Sequence, residues 1–218
     1  MARRAPLRAL LGWALAAAFA ALPVRAAAEP FIPRLYDVTG VAANDVLNVR
    51  AGPTVSAPIV GVLSPYATRV EVVGLNDTSK WGRIAIGERD GWVSMAYLQR
   101  RYPKAEGIPA GMWCFGMQPN WSMRFVGREV VEADHSAMTE ARYPIASTRW
   151  PHWRAPSEAR LYAWSAQRGG RHLAGSIEAG ACRDGMSGRP FGWKARIITT
   201  YPDAGVGIRT GCCSLAGR

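Results

Sequence analysis

The stretch "LNVRAGPTVSAPIVGVL", residues 47–63, decides how this chain begins to fold. Leu47 and Val49 alternate with Asn48 and Arg50, the two-residue period of a strand with one buried face. Ala51, Gly52 and Pro53 end it, because glycine tolerates positive φ while proline fixes its own φ and lacks an amide donor. After a polar interval, Ile59 opens a second apolar strand. The same grammar extends to both sides and predicts strands at 34–41, 47–50, 59–63, 69–75, 81–86 and 91–94. The segments "SPYA", "LNDTSK" and "GERDG" supply the turns between them. No amphipathic helix of useful length competes, so the pattern predicts a small closed or nearly closed barrel.

The first thirty residues give an address. Arg3, Arg4 and Arg8 precede an apolar run from Ala9 to Val24, and Ala26, Ala27 and Ala28 offer small residues for a peptidase. This is the grammar of a secretory signal over 1–28, cut after Ala28 with Ala26 as the alternative. An uncleaved anchor is the weaker reading, because the run is short and Pro23 closes it. No cysteine near the cut invites a lipid anchor, so a periplasmic or secreted protein without stable membrane insertion is expected. Four arginines, Arg3, Arg4, Arg8 and Arg25, and no acid leave with the signal, so the net charge falls from +11 to +7. A basic exported chain favours anionic wall polymers and head groups over nucleic acid. Arg142, Arg149, Arg154, Arg160, Arg168 and Arg171 come singly, as on a solvated surface.

All four cysteines, Cys114, Cys182, Cys212 and Cys213, lie in the second half, and export brings them to an oxidising compartment. Joining the neighbours Cys212 and Cys213 would strain the bridge, so two pairings survive. In "VGIRTGCC" the phase of Val206, Ile208 and Thr210 continues to Cys212 and leaves Cys213 facing the other way. This favours Cys182 with Cys212 and Cys114 with Cys213. His135, His152 and His172 stand too far apart in sequence to suggest a metal site, and no motif asks for a cofactor.

The polar segment "RRYPKAEGIPAGM" suggests a linker over 101–111 between a first domain at 29–100 and a second at 112–218. The second is again strand-rich, in "WSMRFVG", "EVVEA", "RLYAWSA", "WKARIITTY" and "VGIRTGCC". The expected fold is therefore all-β: a small barrel followed by a second small antiparallel barrel braced by disulfides.

"LNVRAGP" followed by "PIVGVL", "TRVEVVG", Trp81 and Ile84 in "WGRIAI", and "DGWVSMAYL" resembles, over about residues 35–100, the bacterial SH3-like domain of envelope and cell-wall proteins. The resemblance implies a small antiparallel barrel and, in several members, binding of peptidoglycan stem peptides. On this chain it directs attention to Asn48, Arg50, Trp81, Trp92 and Tyr97. "GMWCFGMQPNWSMRF" with "CRDGMSGRPFGW" resembles an uncharacterised family of bacterial exported proteins and lipoproteins that carry C-x-G-T-E-P-F-W-S and C-x-D-G-M-S-D-R motifs. Cys114, Gly116, Pro119, Trp121 and Ser122 fit the first motif, and Cys182, Asp184, Gly185, Met186, Ser187 and Arg189 fit the second. Met117, Gln118 and Asn120 depart from the first, and Gly188 replaces an acid in the second.

Asp184 with Arg189, or Asp134 beside His135, could belong to a catalytic set, but neither makes one alone. The cysteines have the better claim to disulfides than to thiol chemistry. In "RWPHWRAP", Trp150 and Trp153 flank His152 in a segment bounded by prolines, where indoles could meet a sugar ring or cover the barrel mouth. The leading reading is a noncatalytic module that binds peptidoglycan or another anionic wall component. The alternative is a periplasmic interaction or inhibitor protein that presents the loops of the second barrel to a protein partner. A hydrolase ranks third.

Overall fold

The structure is a computed structural model, and it describes residues 31, 33–102, 107–151 and 159–216. The expected signal therefore lies outside the described residues, as do His152 and Trp153. The first unit comprises β1 (Arg34–Val38), β2 (Leu47–Arg50), β3 (Ile59–Leu63), β4 (Val70–Leu75), β5 (Trp81–Ile86), β6 (Arg89–Ser94), a 3-10 turn (Met95–Tyr97) and β7 (Leu98–Arg100). They form one antiparallel sheet in the order β3-β2-β6-β5-β4-β1-β7 around a single core. Leu47 and Val49 enter that core with Tyr36, Val72, Ile84 and Val93. Gly91 within β6 is required by packing: a Cβ there would overlap the Val49 side chain.

The second unit is a closed, up-and-down barrel of eight antiparallel strands. These are β8 (Trp113–Met117), β9 (Asn120–Val126), β10 (Glu129–Asp134), β11 (Thr139–Arg149), β12 (Leu161–Arg168), β13 (Arg171–Cys182), β14 (Phe191–Tyr201) and β15 (Gly205–Ser214), with β15 returning to β8. At eight strands a barrel is just wide enough for side chains to fill it. Here Trp121, Trp164, Trp193, Tyr162 and Phe125 do so, with Phe125 edge-on to Trp164 at 5.2 Å between centroids. Trp121 needs Gly116 and Gly211 beside it, because a Cβ at Gly116 would strike the indole and one at Gly211 the Phe115 carbonyl.

Cys114 joins Cys213 across the β8–β15 ladder, where the two residues are directly opposed. Cys182 joins Cys212 and ties the end of β13 to β15. The alternation in β15 does separate Cys212 from Cys213, but its apolar phase is the outer one. Val206 is 65% and Ile208 73% exposed, whereas the Arg209 side chain, on the opposite face, is largely buried. An inward arginine is tolerable only because it is paired. Its Nη2 donates to Glu132 Oε1 at 2.5 Å and to Thr199 Oγ1 at 3.0 Å. Arg171 Nη2 donates to the same carboxylate at 3.1 Å and its guanidinium lies 4.8 Å from the Tyr201 ring centroid. Burial, reinforced by the Glu132 charge, raises the pKa of the Tyr143 phenol in this cluster.

The segment expected to be a linker is not only a connector. Ile108 is buried in the barrel core, together with Met112 that follows it. Gly107, at φ +91°, brings the chain close to Thr148 and Trp150 so that Ile108 can enter. Composition hid this, because one apolar residue among prolines and glycines does not show a period.

The two units also dock directly. Arg69 Nη2 donates to the Leu215 carbonyl at 2.7 Å, and Ser214 Oγ donates to Glu71 Oε2 at 2.5 Å. Leu35 packs on the barrel core, and a Cβ at Gly192 would overlap Pro33. Glu71 is enclosed by this contact. Burial pushes its carboxyl above the usual range against the opposing pull of the Ser214 hydroxyl, the backbone of Leu215 and Ala216, and the Arg189 charge.

Two outcomes are expected. Thiol labelling of the unfolded chain should find no free cysteine before reduction. Reduction should then remove roughly 2–5 kcal/mol per bridge from the barrel, while the cysteine-free first sheet persists by circular dichroism. Melting of both units at one midpoint after reduction would show instead that docking makes them one cooperative unit. For Glu71 the folded state holds its proton more tightly than the unfolded state. Its contribution is therefore complete below the unfolded value near 4.5 and is lost as pH rises through the raised folded value. Glu71→Gln should accordingly raise the thermal midpoint at neutral pH and flatten this decline in a melt-versus-pH series.

Candidate functional site

With Leu47 and Val49 committed inward, β2 must present Asn48 and Arg50 outward. Arg50 is directly opposite Trp92 on β6, and Trp92 is opposite Arg83 on β5. Trp81 lies two residues before Arg83 and so shares its face. Asn48, Arg50, Trp81 and Trp92 thus come together on the outer surface of β2, β6 and β5. Both indoles are half-buried, and neither is part of the core cluster. Arg50 Nη1 donates to the Ala57 carbonyl at 2.8 Å, which braces the loop begun by "AGP" and uses one of its five donors. Arg83 is held by Asp90, with Nε to Oδ2 at 2.6 Å. The result is a row of cation, indole and cation across three strands.

The other aromatic candidates do not join this row. Tyr97 is exposed on the 3-10 turn, with its ring near Gly40. Trp150 is half-buried and packs against the barrel core, so it serves the lid reading of its loop better than a free stacking surface. Trp153 is outside the described residues.

The polar residues of the second barrel's motifs are largely spent on its turns. Asp184 Oδ1 accepts from the Met186 and Ser187 amides at 3.0 and 2.9 Å, and Oδ2 accepts from Ser187 Oγ at 2.8 Å. Burial alone would raise its carboxyl, but these donors outweigh it and hold the pKa below the usual carboxylate value. Asp134 accepts the amides of Ser136 and Ala137, and the Ala137 amide is the largest cause of its lowered pKa. It does not orient His135, whose Nε2 instead lies 3.0 Å from Ser122 Oγ. Among the described residues no three His, Cys, Asp or Glu side chains converge as a metal site.

Sequence reasoning passed over Arg83 and Asp90. The signal was available, because the offset of two from Trp81 to Arg83 in "WGRIAI" places them on one face. It also passed over Glu132, and "EVVEAD" gives no periodic sign that this acid points inward.

Residues 45–99 match the family model described as Bacterial SH3 domain. The match runs from just before β2 into β7 and covers a minority of the chain. No curated protein and no solved structure matches the chain. The first unit is therefore SH3-like by both sequence and sheet.

Opposite faces should respond differently to truncation. Val49→Ala should destabilise the fold by roughly 1–3 kcal/mol through lost core packing. Arg50→Ala should remove about 0.5–1.5 kcal/mol, the net worth of its hydrogen bond to the loop. Urea unfolding of both variants measures the order, and a larger loss for Arg50→Ala would overturn the assignment of faces.

Proposed function

We propose that this is an exported, noncatalytic cell-envelope protein that binds peptidoglycan, or another anionic wall component, through the outer face of its SH3 domain. The observation that carries the reading is the row of Arg50, Trp92 and Arg83 on the domain that matches the bacterial SH3 model. Arg50 keeps four donors for a planar carboxylate such as those of wall stem peptides, and Trp92 offers apolar contact beside it. Both disulfides suit an oxidising compartment outside the cytoplasm. Among the described residues no helix is long and apolar enough to cross a membrane. The noncatalytic part of the reading is supported by the commitment of all four cysteines to bridges and of Asp184 and Asp134 to turns.

One observation favours the protein-partner alternative. Ile198 and Ile208 are directly paired and exposed on the outer face of β14 and β15, with Val206 nearby. Exposed apolar side chains in contact with one another are a feature of protein-interaction surfaces.

Sedimentation with purified peptidoglycan, using the chain from residue 29 onward, separates the two readings. The wall-binding reading expects the protein in the pellet at low salt and its release as ionic strength rises. Arg50→Ala and Trp92→Ala should each weaken pelleting several-fold while circular dichroism shows a folded chain. A wild-type protein that stays in the supernatant at low salt would sink the wall-binding reading and leave the partner reading as the better account.

A further inference from the structure

The outer surface of a small barrel is ordinarily polar on alternate positions, yet β8 turns Trp113, Phe115 and Met117 outward. Part of this apolar strip is covered by the loop between β13 and β14, residues 183–190. Asp184 folds that loop through its three hydrogen bonds, and Ser187 Oγ in turn accepts the Arg189 amide at 3.2 Å. Trp113 stacks on Phe115 at 4.4 Å between centroids, Phe115 meets Phe191 edge-on at 4.9 Å, and the Arg189 guanidinium lies 5.5 Å from the Phe191 centroid. The β5–β6 turn of the SH3 domain closes the other side, and a Cβ at Gly188 would lie 3.2 Å from the Glu88 carbonyl oxygen. Between these walls is a cleft of about 490 Å³, within the range of small-ligand sites.

The cleft contains a cation that no carboxylate pairs with directly. Arg209, Arg171 and Arg83 each reach a carboxylate. The Arg189 side chain makes no hydrogen bond or ion pair with any described residue, and its Nε is buried without a partner. Asp184 also lines the cleft, but all its hydrogen bonds are spent on its own turn. Glu71 senses the Arg189 charge from across the domain contact, but no hydrogen bond or ion pair joins the two. A guanidinium with no acceptor keeps donors that an anion in the cleft can take.

We propose that this cleft is a binding site for a small monocarboxylate with an apolar body, such as the C-terminus of a peptide ending in a small apolar residue. The edge of Arg189 fits the two oxygens of a planar carboxylate. Trp113, Phe115 and Met117 take the apolar substituent, and Asn120 and His135 stand at the rim as hydrogen-bonding groups. A dianion fits less well, because Asp184 and Glu88 line the same cleft as the single arginine. The site does not use the outer face of the SH3 domain, so it stands or falls independently of wall binding there.

The test titrates the folded chain from residue 29 onward with acetyl-alanyl-alanine bearing a free carboxylate, and separately with its C-terminal amide, reading tryptophan fluorescence and amide chemical shifts. The acid should saturate the signal, and the amide should bind at least about tenfold more weakly. Arg189→Gln should lose the preference for the acid, Arg50→Ala should keep it, and inorganic phosphate at matched concentration should not displace the peptide. Equal responses to acid and amide, no saturation by the acid up to about 10 mM, or displacement by phosphate would each overturn the proposal. If Arg189→Gln fails to fold, the wild-type comparison of acid with amide still decides.

Discussion

The second barrel depends on a seam only three residues long. Cys212, Cys213 and Ser214 pair with Phe115, Cys114 and Trp113, and this is the ladder that converts an eight-stranded sheet into a closed cylinder. A short ladder contributes few hydrogen bonds, and opening it would expose two strand edges. The Cys114–Cys213 bridge lies at its centre and limits how far the strands separate without unfolding. Closure also fixes the phase of β8. With Cys114 and Gly116 inward, Trp113, Phe115 and Met117 have no choice but to face outward. Ser214, the last residue of β15, and Leu215 beyond it then meet Glu71 and Arg69. Barrel interior, outer aromatic strip and domain contact therefore share one covalently secured register.

Enclosed charges in this framework are met in different ways. Glu132 is shared by Arg209 and Arg171 where the barrel would otherwise need apolar filling, and such a cluster persists only when its hydrogen bonds are satisfied. Removing Glu132 alone would leave two guanidiniums facing each other in a low-dielectric space, which is worse than replacing the whole cluster. At the domain contact the enclosed Glu71 accepts from the Ser214 hydroxyl, and burial raises its pKa so that it holds a proton more tightly than in water. Arg189 receives neither solution. It has an aromatic ring for company and no carboxylate, as Arg100 has beside Tyr102, but Arg189 is the one of the two that lines the cleft.

Legibility in the sequence followed from which physical signals are local. The strands of the SH3-like unit could be read closely because Leu47, Val49, Ile84 and Val93 alternate with polar residues and the turns carry glycine, proline or an acid-amide pair. In β15 the period was equally clear but the face was not. Alternation says which residues lie together, and the side facing the core is decided by partners far away in the chain. Arg209 enters the barrel because Glu132 meets it there, across a separation of 77 residues. Ile108 was hidden for a related reason: it fills the barrel as a single residue in an irregular segment. The disulfide phase survived this ambiguity, because it required only that Cys212 and Cys213 face opposite ways. Arg50 and Trp92 were legible as members of a family pattern, whereas Arg83 needed the register between β5 and β6 to join them.

The two candidate binding surfaces differ in how water treats them, and this bears on the kind of ligand each can hold. On the outer SH3 face Arg50 and Arg83 remain partly solvated, so their attraction for a carboxylate is screened within a Debye length and favours many weak contacts along a polymer. A wall polymer provides such repetition. In the cleft, Arg189 Nε is already stripped of water and lies against aromatic carbon, so part of the desolvation cost is met before a ligand arrives. A single small carboxylate can then gain from one well-oriented contact, without the repetition that the exposed face requires. On the proposed readings the same charge would support avidity on one surface and chemical selectivity on the other. The difference comes from the fold around each arginine, which is open sheet for Arg50 and a loop folded over an aromatic strip for Arg189.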